Sequence, residues 1–136
     1  MKKKCLSFLC LLLLCVSVAL PVHAVGSSPR LVDNADYLTD SEEATLLNKL
    51  DEISTRQGLD IVIVTIPDLY GEDITAFADD FYDENGYQPD GILLLISDYD
   101  REWAISTAGY GITAFTDAGQ EYLTGQFLNA LSEGEY

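Results

Sequence analysis

Five aspartates next to predicted strand and helix ends are the residues of this 136-residue chain that could carry chemistry. Asp33 precedes the first predicted helix, and Asp98 and Asp100 flank a polar turn between two hydrophobic segments. Carboxylate oxygens are preferred ligands of hard cations such as Ca²⁺, and carboxylates gathered without a cation would repel one another. The sequence therefore predicts a divalent-cation site at Asp33, Asp98 and Asp100, with Ca²⁺ favoured over Mg²⁺.

Asp90 and Asp117 form a second acidic pair, near Gly109 and Gly111, which we expect at the opposite edge of the sheet. Spacing alone leaves open whether the segment from Gly109 to Asp117 returns to the first edge and adds these carboxylates to the metal site. The alternative for any single aspartate is a solvated surface charge or a helix cap.

Arg101 is the cation nearest to these carboxylates in the sequence, since it follows Asp100 directly. A guanidinium in this position would orient the carboxylates or pair with an anion. The alternative is an ordinary surface ion pair, which contributes little to stability.

The composition excludes several kinds of chemistry. The chain carries 23 acidic residues against 7 Lys and Arg, a net charge of −16, which repels phosphate backbones and makes nucleic acid an improbable partner. All three cysteines and the single histidine lie within residues 1–24. The rest of the chain therefore cannot form a disulfide, a Cys/His zinc site or a Ser-His-Asp triad.

One short motif is misleading. Gly109 to Ala114 matches the G-x-G-x-x-A pattern of dinucleotide-binding proteins. The strand before it belongs to a predicted hairpin, however, and no later strand completes a βαβ unit. The two glycines are interpreted as an irregular turn where the last strand leaves the sheet.

The N-terminus has the three parts of a secretory signal. Lys2 to Lys4 are followed by an apolar stretch, Leu6 to Leu20, and by Val22-His23-Ala24, which predicts cleavage after Ala24. The apolar stretch is shorter than the ~20 residues that a spanning helix needs. We expect residues 1–24 to be a signal peptide, 25–29 a short flexible leader, and 30–136 a single domain. The protein is then secreted or extracytoplasmic; an uncleaved segment would instead hold it at the outer face of the membrane.

Local sequence signals predict three helices. Thr39 and Glu42 fit a capping box at a helix start, and Gly58 can end that helix in the left-handed conformation. A second amphipathic helix runs from Ile74 to about Asn85, and a third begins at Thr116 or Asp117.

Strand signals lie between the helices. Leu59 to Ile66 and Gly91 to Ile96 are nearly continuous apolar runs, typical of strands covered on both faces. Trp103, Ile105 and Thr107 alternate with smaller residues after the polar turn, which indicates a hairpin strand. The order α-β-α-β-β-α predicts an α/β fold with a small mixed sheet sandwiched between helices. The first helix must run antiparallel to the following strand, so Asp33, Asp98 and Asp100 are expected at one edge.

An ordered set of short motifs resembles a known family. The motifs are Leu31 to Thr39, Leu59 to Ile66, Asp90 to Ile96, Asp100-Arg101, Gly109 to Gly111 and Thr116-Asp117. In this order the sequence resembles the TPM domain family, whose members are associated with thylakoid lumens and membranes. The resemblance implies a TPM-like α/β sandwich on the outer side of a membrane. It also implies an acidic cluster, Asp33, Asp90, Asp100 and Asp117, that binds calcium in some members.

The resemblance implies two kinds of activity. Plant lumenal relatives are acid phosphatases, whereas others are accessory or receptor-associated modules without known catalysis. Many bacterial relatives continue into a transmembrane helix and a Gly-rich tail, so a chain ending at Tyr136 is expected to be a minimal secreted form or a truncated one. Arg101 is the only cation expected near the acidic cluster, which leaves transition-state charge to bound metal and disfavours the phosphatase.

The sequence therefore supports an exported, Ca²⁺-binding accessory or interaction module that docks on a membrane or cell-envelope protein. The alternative is a metal-dependent acid phosphatase that uses the same aspartates. A third alternative is a scaffold whose acidic residues only maintain solubility.

Overall fold

A computed structural model describes residues 28–133. The predicted signal peptide and the start of the predicted leader lie outside these residues. The strands are β1 (Leu31–Asp33), β2 (Asp60–Ile66), β3 (Gly91–Ser97) and β4 (Glu102–Ala108). The helices are α1 (Asp40–Gln57), α2 (Ile74–Glu84), α3 (Gly111–Ala114) and α4 (Asp117–Glu133).

The four strands form one mixed sheet in the order β1-β2-β3-β4. β1 and β3 flank β2 in parallel, and β4 pairs antiparallel with β3 through the turn at residues 98–101. The predicted α/β class, mixed sheet and hairpin are confirmed. Two short elements were not predicted from the sequence: β1, which pairs with β2 through three residues only, and the four-residue helix α3.

The boundaries of α1 follow from its caps. The Thr39 side chain accepts from the backbone N–H of Glu42, and the Glu42 carboxylate accepts from the N–H of Thr39, which completes the predicted capping box. Gly58 ends the helix with a φ of 70°, a conformation that glycine adopts without steric penalty.

The hydrophobic core lies between the sheet and α2. Val62, Val64, Leu93 and Leu95 are at most 1% exposed and pack with Ala78 and other residues of α2. Side chains alternate along a strand, so Ile96 and its register partner Trp103 face the other side of the sheet. There the Trp103 ring meets Phe127 of α4 edge-on, with centroids 6.1 Å apart. Helices therefore cover both faces, as predicted.

Within residues 28–133, no helix combines the length and the apolar composition needed to cross a bilayer.

Candidate functional site

Three of the five predicted aspartates lie at one edge of the sheet. β1, β2 and β3 are parallel, so their carboxyl ends meet there. Asp33 is the last residue of β1, and Asp98 and Asp100 lie in the turn after β3. We call Asp33, Asp98, Asp100 and the loops beside them the carboxyl edge.

Asp33 fastens the loop between β1 and α1. Its Oδ1 accepts a hydrogen bond from the Thr65 hydroxyl, and its Oδ2 accepts from the backbone N–H of Leu38 at 2.7 Å. The same Thr65 oxygen accepts from the N–H of Ala35 at 3.1 Å. Both ends of the loop are thereby fixed to β1 and β2.

Asp98 joins this loop to the β3–β4 turn. Its Oδ1 accepts a hydrogen bond from the Tyr37 hydroxyl at 2.7 Å, although the two residues are 61 positions apart in sequence. The contact brings the turn that follows β3 against the segment that precedes α1.

Asp100 joins the same turn to the loop after β2. Its Oδ2 accepts hydrogen bonds from the Ser97 hydroxyl at 2.7 Å and from the backbone N–H of Leu69 at 2.9 Å. These two bonds, with that from Ser97 the larger effect, lower the pKa of the Asp100 carboxyl. The bonds stabilise the ionised form, so the native state favours a charged Asp100.

The lowered pKa of Asp100 predicts a pH-dependent effect of Asp100→Asn. Because the pKa of Asp100 is lower in the folded protein than its ordinary value of 3.8, the ionised carboxylate stabilises the native state at pH values above 3.8. This contribution disappears as the pH falls through the folded-state pKa. We expect Asp100→Asn to lower the Tm at pH 7 and the difference from the parent protein to shrink as the pH falls toward 3. Thermal unfolding by circular dichroism at several pH values measures this.

The matched control is Asp80→Asn, since Asp80 is an exposed residue of α2 and the substitution removes the same charge. Its Tm difference from the parent protein should stay small at every pH. A constant Tm difference for Asp100→Asn between pH 7 and pH 3 would contradict the assignment of these hydrogen bonds.

The other two predicted aspartates lie at the opposite edge. Asp90 precedes β3, and its Oδ1 accepts a hydrogen bond from the backbone N–H of Tyr110 at 2.6 Å. Asp117 begins α4, and Phe127 reaches Trp103 only ten residues later, about 15 Å along the helix. The segment from Gly109 onward therefore does not bring Asp117 back to the carboxyl edge.

Arg101 occupies the tip of the turn with an exposed side chain and a φ of 58°, which is uncommon for a residue with a long side chain. No ion pair joins Arg101 to an acidic residue within residues 28–133. No contact in this part of the chain therefore supports the prediction that Arg101 orients the neighbouring carboxylates.

The acidic side chains of the described residues do not form a ready-made metal site. Over residues 28–133, no three or more Asp, Glu, His or Cys side chains converge closely enough to hold a metal ion. At the carboxyl edge each carboxylate already accepts hydrogen bonds from neighbouring loops. Any cation there would have to combine one or two carboxylates with backbone carbonyls and water, a ligand set that the flexible coordination geometry of Ca²⁺ accommodates.

A partly buried charge cluster at the other end of β2 was not predicted from the sequence. Asp60 is 1% exposed, and its Oδ1 accepts from Nε of Arg30 at 2.9 Å and from Nη2 at 2.6 Å. Its Oδ2 accepts from the backbone N–H of Gln88 at 2.7 Å, and Arg30 also donates to Asp51 at 2.6 Å. Burial acts to lower the pKa of Arg30, but the bonds to Asp51 and Asp60 outweigh it and raise that pKa. The one sequence signal was an acidic residue inside an otherwise apolar strand segment.

Comparisons with known proteins agree with this architecture. The family model described as the TPM domain matches residues 31–136. The solution NMR structure of the N-terminal domain of a protein from P. gingivalis superposes with a TM-score of 0.70 at 20% identity, covering 81% of this chain and 73% of that one. A search of curated proteins finds no match. The structural likeness shows a shared fold, and the family match covers most of the chain. This chain belongs to the TPM domain family.

Proposed function

We propose that this TPM domain is an exported interaction module of the cell envelope, whose carboxyl edge binds Ca²⁺ and docks on a membrane or envelope protein. The observation that supports it is the set of hydrogen bonds by which Asp33, Asp98 and Asp100 connect three loops. These bonds hold several carboxylate oxygens on one preorganised surface. A preorganised surface loses less conformational entropy when a ligand binds.

The calcium part of the proposal follows from ligand chemistry. Ca²⁺ takes six to eight oxygen ligands in flexible geometry and accepts backbone carbonyls and water alongside carboxylates. Because no three acidic side chains converge within residues 28–133, we expect weak binding, with a Kd of about 0.1–1 mM as in extracellular modules. Mg²⁺ demands near-ideal octahedral geometry and should bind more weakly.

Hydrolysis of phosphate esters is the less favoured function for this edge. Phosphoryl transfer needs positive charge against the developing negative charge of the transition state. Arg101 is the cation of the turn. Arg30 forms ion pairs with Asp60 and Asp51 at the other end of β2. An acid phosphatase activity remains an outcome that the experiment below distinguishes.

Export rests on the signal sequence of residues 1–24 and not on the fold. A domain that lacks cysteine after residue 24 is insensitive to an oxidising compartment. Fractionation of cells that express the full chain, followed by N-terminal sequencing, should recover protein that begins at Val25 outside the cytoplasm.

Thermal unfolding with added Ca²⁺ tests the proposed cation site. A ligand at tenfold its Kd stabilises the native state by about 1.4 kcal/mol, which raises the Tm of a domain of this size by about 5 °C. We expect this shift for the parent protein, a smaller one with Mg²⁺, and none for the double variant Asp98→Asn with Asp100→Asn. Asp80→Asn should respond as the parent protein does.

Two results would contradict the proposal. The first is an unchanged Tm at millimolar Ca²⁺, and the second is an equal shift in the double variant. A chromogenic phosphate ester should be added in parallel, with Ca²⁺ or Mg²⁺ at acidic and neutral pH. Turnover by the parent protein that is lost in Asp100→Asn would show that the domain is a phosphatase and not an interaction module.

A further inference from the structure

A groove adjoins the carboxyl edge, and its lining includes Tyr37 and Ser97, which donate hydrogen bonds to Asp98 and Asp100. It has a volume of about 320 Å³ and lies between the β3–β4 hairpin and the C-terminal part of α4. Its lining includes Arg101, Glu102, Trp103, Ile96, Leu128 and Ser132. This volume lies at the lower end of the range for small-ligand pockets.

The groove lining includes one cation, Arg101, next to the acidic Glu102. Arg101 makes no ion pair within the part of the chain that the structure describes. The turn places this residue at a φ of 58°, where glycine would be favoured. The stability of the turn therefore does not explain a long cationic side chain at this position. Because no ion pair within this part of the chain engages the guanidinium, it can receive an anion.

The rest of the groove is largely apolar. Trp103 is 37% exposed, and the apolar side chains of Ile96 and Leu128 also line the groove. Glu102 and Ser132 also line the groove and are exposed, so the groove is open to solvent beside them. The groove thus combines one cation, a partly exposed aromatic ring and apolar side chains.

We propose that this groove binds the carboxyl-terminal residue of a peptide chain, with an aromatic or large aliphatic side chain against Trp103 and the terminal carboxylate on Arg101. A guanidinium forms two parallel hydrogen bonds with a carboxylate, which gives both affinity and orientation. A single arginine matches one negative charge. Neighbouring acidic residues, Glu102 and Asp98 among them, would repel a doubly charged phosphate more strongly than a carboxylate.

The fluorescence of Trp103 offers a direct test, because the chain contains one tryptophan. The probes are N-acetyl-Gly-Phe, the same dipeptide with an amidated C-terminus, and phenyl phosphate. We expect a saturable change in emission with the free carboxylate, and at least tenfold weaker binding for the amide and for phenyl phosphate.

Variants separate recognition from the conformation of the turn. Arg101→Gly should weaken binding of N-acetyl-Gly-Phe at least tenfold while leaving the Tm unchanged or higher, since it relieves the positive φ. Tyr70→Gly is the matched control, because Tyr70 has a φ of 54° and does not line the groove. It should keep the affinity of the parent protein. Equal binding of acid and amide, unchanged binding by Arg101→Gly, or no saturable emission change would each overturn the proposal.

Discussion

Arg30→Ala is expected to lower the free energy of unfolding by about 3–5 kcal/mol, as found when one partner of a buried ion pair is removed. The Asp60 carboxylate is 1% exposed and receives two hydrogen bonds from the Arg30 guanidinium. Without Arg30 it would remain buried with the Gln88 amides as its remaining donors. Taking an uncompensated carboxylate out of water is far more costly than losing the arginine's contacts alone.

Urea unfolding followed by circular dichroism measures the loss. Arg56→Ala is the matched control, since the Arg56–Glu52 pair is 4.0 Å apart with both side chains mostly exposed. Pairs of this kind contribute about 0.3–0.5 kcal/mol. A loss below about 1 kcal/mol for Arg30→Ala would show that water reaches Asp60 and that the cluster is not a buried ion pair.

Gly111→Ala is expected to destabilise the domain by about 1–3 kcal/mol, the usual range for overpacking a well-packed site. A Cβ at Gly111 would collide with the backbone carbonyl of Gly91, at the start of the central strand β3. A backbone carbonyl in a sheet cannot rotate away as a flexible side chain can. The Gly109-Tyr110-Gly111 segment therefore needs its second glycine for close packing of α3 on β3 and not for a dinucleotide.

Gly125→Ala is the matched control, and urea unfolding measures the stability of both variants. Gly125 lies within α4, and nothing lies within 4 Å of the position that a Cβ would take. Alanine is favoured over glycine inside helices by about 1 kcal/mol, so this variant should be equally or more stable. If Gly111→Ala unfolds at the same urea concentration as the parent protein, the close approach to Gly91 is not present in solution.

Local signals were sufficient to predict most of the fold. The boundaries of α1 are set by Thr39, Glu42 and Gly58, which act within a few residues of their own positions. The apolar runs of β2 and β3 similarly reflect burial on both faces of the sheet. Sequence periodicity records such features because they depend on nearby residues.

Features that depend on distant residues were not predicted. β1 exists because Leu31 to Asp33 pair with Ile63 to Thr65, and three residues carry no periodicity of their own. The Arg30–Asp60 contact likewise joins residues 30 positions apart. Neither pairing leaves a local pattern in the sequence.

The shared edge of three aspartates was predicted from the sequence, but their hydrogen bonds were not. Topology alone indicated that Asp33, Asp98 and Asp100 share an edge. It could not indicate that hydroxyl groups of Thr65, Tyr37 and Ser97 would donate to them. These donors partly satisfy the carboxylates, so the predicted need for a cation to relieve their repulsion is weaker than spacing suggested.

Amide chemical shifts during a Ca²⁺ titration test the proposed site most directly. In ¹H–¹⁵N spectra of the protein, we predict saturable shifts up to about 10 mM Ca²⁺ for the amides of residues 34–38 and 97–101. The chemical shifts of the amides beside Asp90 and Asp117 should not change. Shifts spread equally over both edges, or none at all, would contradict a calcium site at the carboxyl edge.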